Sequence, residues 1–167
     1  MATKMFGSDR VPITLIGDGS TQTLGITNLI VIAKHWRQWN HPRLIILVVN
    51  HHGLARVTLE TGAMEGEAKL HASTVYPNMN YAEFAINMGL GGIRIEDPRA
   101  MEDALEAAFS ADKPFVIDAA TDVEIHTLPP GITFAKVERY LAFALNNDPQ
   151  HYGCLRQSRC DANPGMN

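Results

Sequence analysis

Residues Val11 to Ser20 read VPITLIGDGS, and this stretch decides the fold. VPITLI is β-branched and almost wholly apolar, the composition of a strand covered on both faces, as in a parallel sheet. It stops at Gly17. Beyond the turn Gly17-Asp18-Gly19-Ser20, residues Thr21 to Trp39 carry Leu24, Ile26, Leu29, Ile30, Ile32, Ala33 and Trp36 at helical spacing, with Lys34, Arg37 and Gln38 opposite. The order is strand, tight turn, helix. Asn40-His41-Pro42 breaks that helix, and Arg43 to Val49 (RLIILVV) is a second apolar strand ending at Asn50. Two strands around one helix make a βαβ unit, for which a right-handed crossover is expected.

Outward from this unit, residues His51 to Asn80 show little periodicity, and a segment of that length is expected to be functional or mobile. Tyr81 to Met88 is a short amphipathic helix closed by Gly89, followed by a strand over Gly92 to Glu96 (GIRIE). Asp97 is the candidate N-cap, and Pro98 the first residue, of a helix through Phe109; Phe115 to Ala119 (FVIDA) is the next strand. After Pro129-Pro130-Gly131, a last helix is expected from Phe134 to Asn146. This alternation predicts an α/β fold of three layers, an open, mainly parallel sheet with helices on both faces. One domain is expected over residues 1–147, and the polar, Gly- and Pro-containing stretch 148–167 is expected to be a disordered tail.

At 167 residues the chain is long enough for one sizeable core. Its 14 Lys and Arg against 18 Asp and Glu give a formal net charge of −4, so no basic surplus draws nucleic acid or an anionic membrane surface. No apolar run approaches the roughly 20 residues of a spanning helix. The first ten residues lack an apolar signal core, and the two cysteines, Cys154 and Cys160, both fall in the last stretch, which points to a reducing cytoplasm. Charged residues make up 19%, below a typical level of about 25%, as expected when another chain covers part of the surface.

In open parallel sheets, ligands bind beyond the carboxyl ends of the strands. Two polar clusters are expected there: Gly17-Asp18-Gly19-Ser20, with Ser20 or Thr21 able to cap a helix whose dipole favours phosphate, and Asn50-His51-His52-Gly53. A carboxylate beside a phosphate site makes sense when a hard divalent cation bridges the two. The plainer alternative is a tight turn with Asp18 as a helix cap. A dinucleotide fingerprint fits worse, because its third glycine falls at Gln22 and the second strand ends in Asn50 instead of an acid. His51, His52 and His71 show no zinc-ligand spacing, Glu65 and Glu67 read as solvated, and Met64, Met79 and Met88 as packing. Trp36 and Trp39 fit a helix-end core contact or an anchor for a partner.

Taken together, GDGS with its helix, the strand ending in NHHG, GIRIEDP followed by ALEAAFSADKPFVIDAATD, the stretch Leu59 to Leu70 (LETGAMEGEAKL) and TLPPGITFAKVERYLAFAL resemble the C-terminal, diphosphate-binding domain of thiamine-diphosphate-dependent enzymes. Within that superfamily the sequence is most similar to the pyruvate oxidase and acetolactate synthase branch, over residues 8–147. The resemblance implies thiamine diphosphate and Mg²⁺ as cofactors. It implies a cofactor-binding set of Gly17, Asp18, Gly19, Ser20, Thr21, Asn50 and His52, and a metal set of Asp18, Asn50, His51 and the Gly53 carbonyl. His51 stands where the family carries its second asparagine, and imidazole is a softer ligand than Mg²⁺ prefers. The catalytic glutamate of the family lies in another domain, so no catalytic residue is expected in this chain, and the preceding strand and glycine-rich loop are expected to be absent. The implied function is a cofactor-binding module for 2-keto acid chemistry, inactive alone. Its implied partner is a second chain carrying that glutamate, or a second copy in a homo-oligomer. The alternative is a truncated, non-catalytic relic or self-associating module without cofactor.

Overall fold

The computed structural model describes residues 10–54 and 77–122. The chain divides into two compact units, Met1–His51 with Asn78–Thr121 and His52–Pro77 with Asp122–Asn167; every element below belongs to the first. The expectations for Met64, Glu65, Glu67 and His71, for the helix from Phe134 and for the tail with Cys154 and Cys160 lie outside the described residues.

Four strands, β1 (Ile13–Gly17), β2 (Ile45–Asn50), β3 (Gly91–Ile95) and β4 (Phe115–Ala120), form one sheet in the order β1-β2-β4-β3, with all pairs parallel. Ile13, Ile45, Phe115 and Gly91 share one row across it. Side chains alternate along a strand, so each apolar strand serves two cores. On one face, Ile46, Val48 and Val116 pack with Leu29 and Ile32 of α1 (Ile26–His35) and with Tyr81 and Ala85 of α2 (Tyr81–Asn87). On the other, Ile45, Ile117 and Ala119 pack with Ala104 and Ala108 of α3 (Met101–Ser110). The result is the three-layer α/β arrangement with helices on both faces. Full burial of side chains such as Ile45 and Ile117 stabilises the sheet by about 1.5–3 kcal/mol each.

Local chemistry sets the helix starts. Asn80 caps α2 by accepting the Glu83 N–H at 3.0 Å. Asp97 accepts the Arg99 N–H at 2.9 Å, with Pro98 opening the 3-10 turn Pro98–Ala100 ahead of α3, as the sequence predicts. A Cβ at Gly92 would lie 2.4 Å from the Ala82 carbonyl oxygen, so α2 rests directly on the β3 backbone.

Two expectations are corrected. VPITLI predicts a strand covered on both faces, yet β1 lies at the sheet edge, with Ile13 55% and Leu15 72% exposed. The composition was right for a parallel sheet; the place within it depends on which strands flank it, which no property of those six residues encodes. Ser20 and Thr21 are not helix caps, because helical backbone already begins at Asp18. A short α-turn, Asp18–Ser20, leads through a π-helical segment, Thr21–Gly25, into α1, which ends in the 3-10 turn Trp36–Gln38. Trp39 then turns extended and buries in the core, the core-contact alternative of its two readings.

Candidate cofactor site

The parallel order brings the ends of β1 and β2 side by side, with Gly17 opposite Val49. The turns that follow therefore meet: the Asp18 carboxylate, only 4% exposed, accepts the Gly19 N–H at 2.8 Å through Oδ1 and the His51 N–H at 3.2 Å through Oδ2. Buried charge needs such donors. Thr21 donates its hydroxyl to the Gly17 carbonyl at 2.8 Å, and Thr23 donates to the Gly19 carbonyl at 2.7 Å, fixing the turn from below. Tyr81, fully buried, donates its hydroxyl to the Asp18 carbonyl at 3.4 Å and accepts from Gln22 Nε2 at 2.9 Å. Among the described residues, a Cβ at Gly17 would meet no atom within 4 Å, so that side of the turn leaves room for a ligand.

Asn50 and His51 are placed differently from each other. Asn50 is buried and gives its amide nitrogen to Met79 O at 2.9 Å and Asp118 Oδ1 at 3.0 Å. His51 meets Asp18 through its backbone, while its ring Nδ1 lies 3.0 Å from the Thr121 hydroxyl. Thr121 also donates to the Asn50 carbonyl from its backbone N–H at 2.8 Å. His52 and Gly53 open the second unit, His52 with φ 57°, the left-handed region that non-glycine residues seldom occupy. Among the described residues, no three His, Cys, Asp or Glu side chains form a metal-binding group.

Sequence reasoning missed two residues near this edge. Asp118 on β4 is fully buried and accepts from Asn50, from the Tyr81 N–H at 3.0 Å and from Arg94 Nη1 at 3.2 Å. Arg94 on β3 also reaches Asn78 Oδ1 and Met79 O. The signal was present: FVIDA places Asp118, and GIRIE places Arg94 ahead of its terminal Glu96, inside an apolar strand.

The donor chemistry at Asp18 fits a hard divalent cation. A carboxylate is an oxygen ligand with about four lone-pair sites, the donor type such an ion prefers. The adjoining backbone of Gly17, Gly19 and Ser20 carries no bulk that would keep a diphosphate away.

The sequence profile described as "Thiamine pyrophosphate enzyme, C-terminal TPP binding domain" matches residues 1–119. A mitochondrial acetolactate synthase catalytic subunit from Aspergillus candidus is 23% identical over 90 residues, covering 54% of this chain and 13% of that protein. Among solved structures, a thiamine diphosphate-dependent 4-hydroxybenzoylformate decarboxylase from Rhodococcus jostii superposes with TM-score 0.60 at 23% identity, over 71% of this chain and 21% of that one. A benzoylformate decarboxylase from Polynucleobacter necessarius gives TM-score 0.62 at 17% identity, over 75% of this chain and 22% of its own. These likenesses establish the shared fold, and this chain spans about a fifth of either decarboxylase. The profile match extends over most of the described residues and includes both turns of the site: the chain belongs to the family of C-terminal thiamine-pyrophosphate-binding domains.

Proposed function

We propose that this chain binds thiamine diphosphate through a divalent cation, Mg²⁺, held at Asp18, as the cofactor module of an enzyme acting on 2-keto acids. One observation carries the reading: a buried carboxylate, held by the Gly19 and His51 N–H groups, stands where two strand-end turns of a parallel sheet meet. Asp18 supplies the metal oxygen, and Gly17, Gly19 and Ser20 let backbone approach the diphosphate. The His51 N–H orients the carboxylate. Thiamine diphosphate, when bound, stabilises carbanion character next to a carbonyl, the chemistry that 2-keto acid cleavage and carboligation require. The acetolactate synthase similarity supports the synthase and oxidase branch, and the catalytic glutamate comes from a partner, a separate chain or a second copy.

Thermal unfolding of the full chain tests the reading. Ligand at about 100 times its dissociation constant raises stability by about 2.7 kcal/mol, a shift of about 5 to 10 °C at this size. The shift is expected only with cofactor and metal together, and to vanish in Asp18→Ala; an equal shift in that variant overturns the assignment.

A second reading, a self-associating module without cofactor, is favoured by the exposure of Ile13 and Leu15 on β1 and of Leu24 on the π-helical segment. No shift at millimolar thiamine diphosphate, together with a sedimentation coefficient above that of a monomer, selects it.

A further inference from the structure

Asp118 places a carboxyl group at zero exposure, and the proposed cofactor chemistry makes no use of it. Its environment is built for an anion: Oδ1 accepts Asn50 Nδ2, and Oδ2 accepts the Tyr81 N–H and Arg94 Nη1. These donors come from the ends of β2, β3 and α2, so one carboxylate ties together three elements that end at the cofactor edge. The tie continues. With a carboxylate and the Met79 carbonyl both facing it, the nitrogen of the Asn50 amide has only one orientation that satisfies both. The Asn50 carbonyl is taken by the Thr121 N–H, and the next backbone N–H along the chain, that of His51, donates to Asp18.

We propose that Asp118 is a positioning residue for Asp18: through Asn50 it holds the His51 N–H against the Asp18 carboxylate. This rests on the proposed cofactor site for what Asp18 then binds, but not for the link itself. Asp118 touches no ligand. It fixes the amide that fixes the turn, in the way that partners behind a metal ligand set the ligand's orientation.

The test is amide hydrogen exchange by NMR on the full chain without ligand, in wild type, Asp118→Asn, Asn50→Ala and the double variant. The reference is the Phe115 N–H, which donates to Leu44 O at 2.8 Å at the opposite end of the sheet. Exchange at His51 is expected to rise about tenfold in each single variant while Phe115 keeps its protection, and the double variant to match the stronger single. A fold-wide effect would accelerate both amides alike and overturn the proposal, as would unchanged exchange at His51 or effects that multiply in the double variant. Asn50→Ala leaves Asp118 its Arg94 and Tyr81 donors, so it decides the matter should Asp118→Asn not fold. Calorimetric titration of thiamine diphosphate with Mg²⁺ is the second readout: Asp118→Asn is expected to weaken binding about 10- to 100-fold. Wild type without cofactor binding overturns the cofactor reading alone, and the exchange at His51 still decides the positioning role.

Discussion

The sheet has two edges, and they are built on opposite principles. At β3, all five residues are at least half covered, glycine brings the strand against α2, and Arg94 anchors to a buried carboxylate on the neighbouring strand. At β1 no residue from Val11 to Gly17 carries a charge, and Leu15 is 72% exposed. Edge strands are ordinarily protected by charge, by brevity or by a covering element. The β3 edge has its cover and an inward-pointing charge; the β1 edge has the composition of an interior strand. The difference teaches that the two edges are protected to different degrees: β3 by α2 and by the Arg94–Asp118 pair, β1 by neither.

Four variants sharpen or break that comparison. Arg94→Met removes the charge that faces Asp118 and should lower stability by about 3 kcal/mol, the low end for breaking a buried pair, read as a fall in the denaturant midpoint. A loss below about 1 kcal/mol, the scale of an exposed ion pair, would show that charge does not hold this edge. Gly92→Ala pushes a methyl group against the Ala82 carbonyl and should cost about 1–3 kcal/mol. Its counterpart Gly17→Ala, at the end of β1 with open space around it, should stay within about 0.5 kcal/mol of wild type.

Leu15→Lys should likewise change stability by no more than about 0.5 kcal/mol, because the side chain already faces solvent. It should reduce self-association in sedimentation velocity; a variant that assembles like wild type would remove β1 from the interface. The smallest effect concerns the cap ahead of α3. The Arg99 side-chain hydrogen bond, then the Arg99 backbone N–H, holds the Asp97 carboxyl below its ordinary value. A lowered folded value means that the contribution is present above the unfolded pKa of about 3.9 and fades as pH falls through the folded one. The stability gap between wild type and Asp97→Asn should therefore narrow on acidification through that window, and a gap that widens would contradict the cap.

The alternation of apolar strands and amphipathic helices was legible because each buried element needs its period, and the strand starts and ends fall within a residue or two of expectation. The meeting of Asp18 with the Asn50-His51 turn was also legible, since parallel strands deliver their following turns to one edge. What stayed hidden is pairwise. Asp118 stood as the one charge of FVIDA and Arg94 beside Glu96 in GIRIE, and only the register, Arg94 opposite Asp118, makes the two partners. The resemblance implies a ligand role for Asn50; that its amide nitrogen also serves Asp118 and Met79 depends on the fold. The π-helical segment was invisible for a different reason: Thr21–Gly25 contains one large apolar residue, Leu24, too few to reveal a change of period.

That segment has a consequence for how the chain tolerates changes in length. A π-turn accommodates one residue more than an α-turn over the same rise, so it behaves as an absorbed insertion. The extra residue bulges outward, as the exposure of Leu24 records, while Leu29 and Ile32 downstream stay in phase with the sheet. Removing Leu24 would let the turn relax to regular α-helix without rotating those anchors, whereas removing a residue beyond Ile26 would turn the core face toward water. The helix therefore carries its spare length at the end nearest Asp18, on the side that Leu24 turns to solvent, while Thr21 and Thr23 hold the other side to the turn.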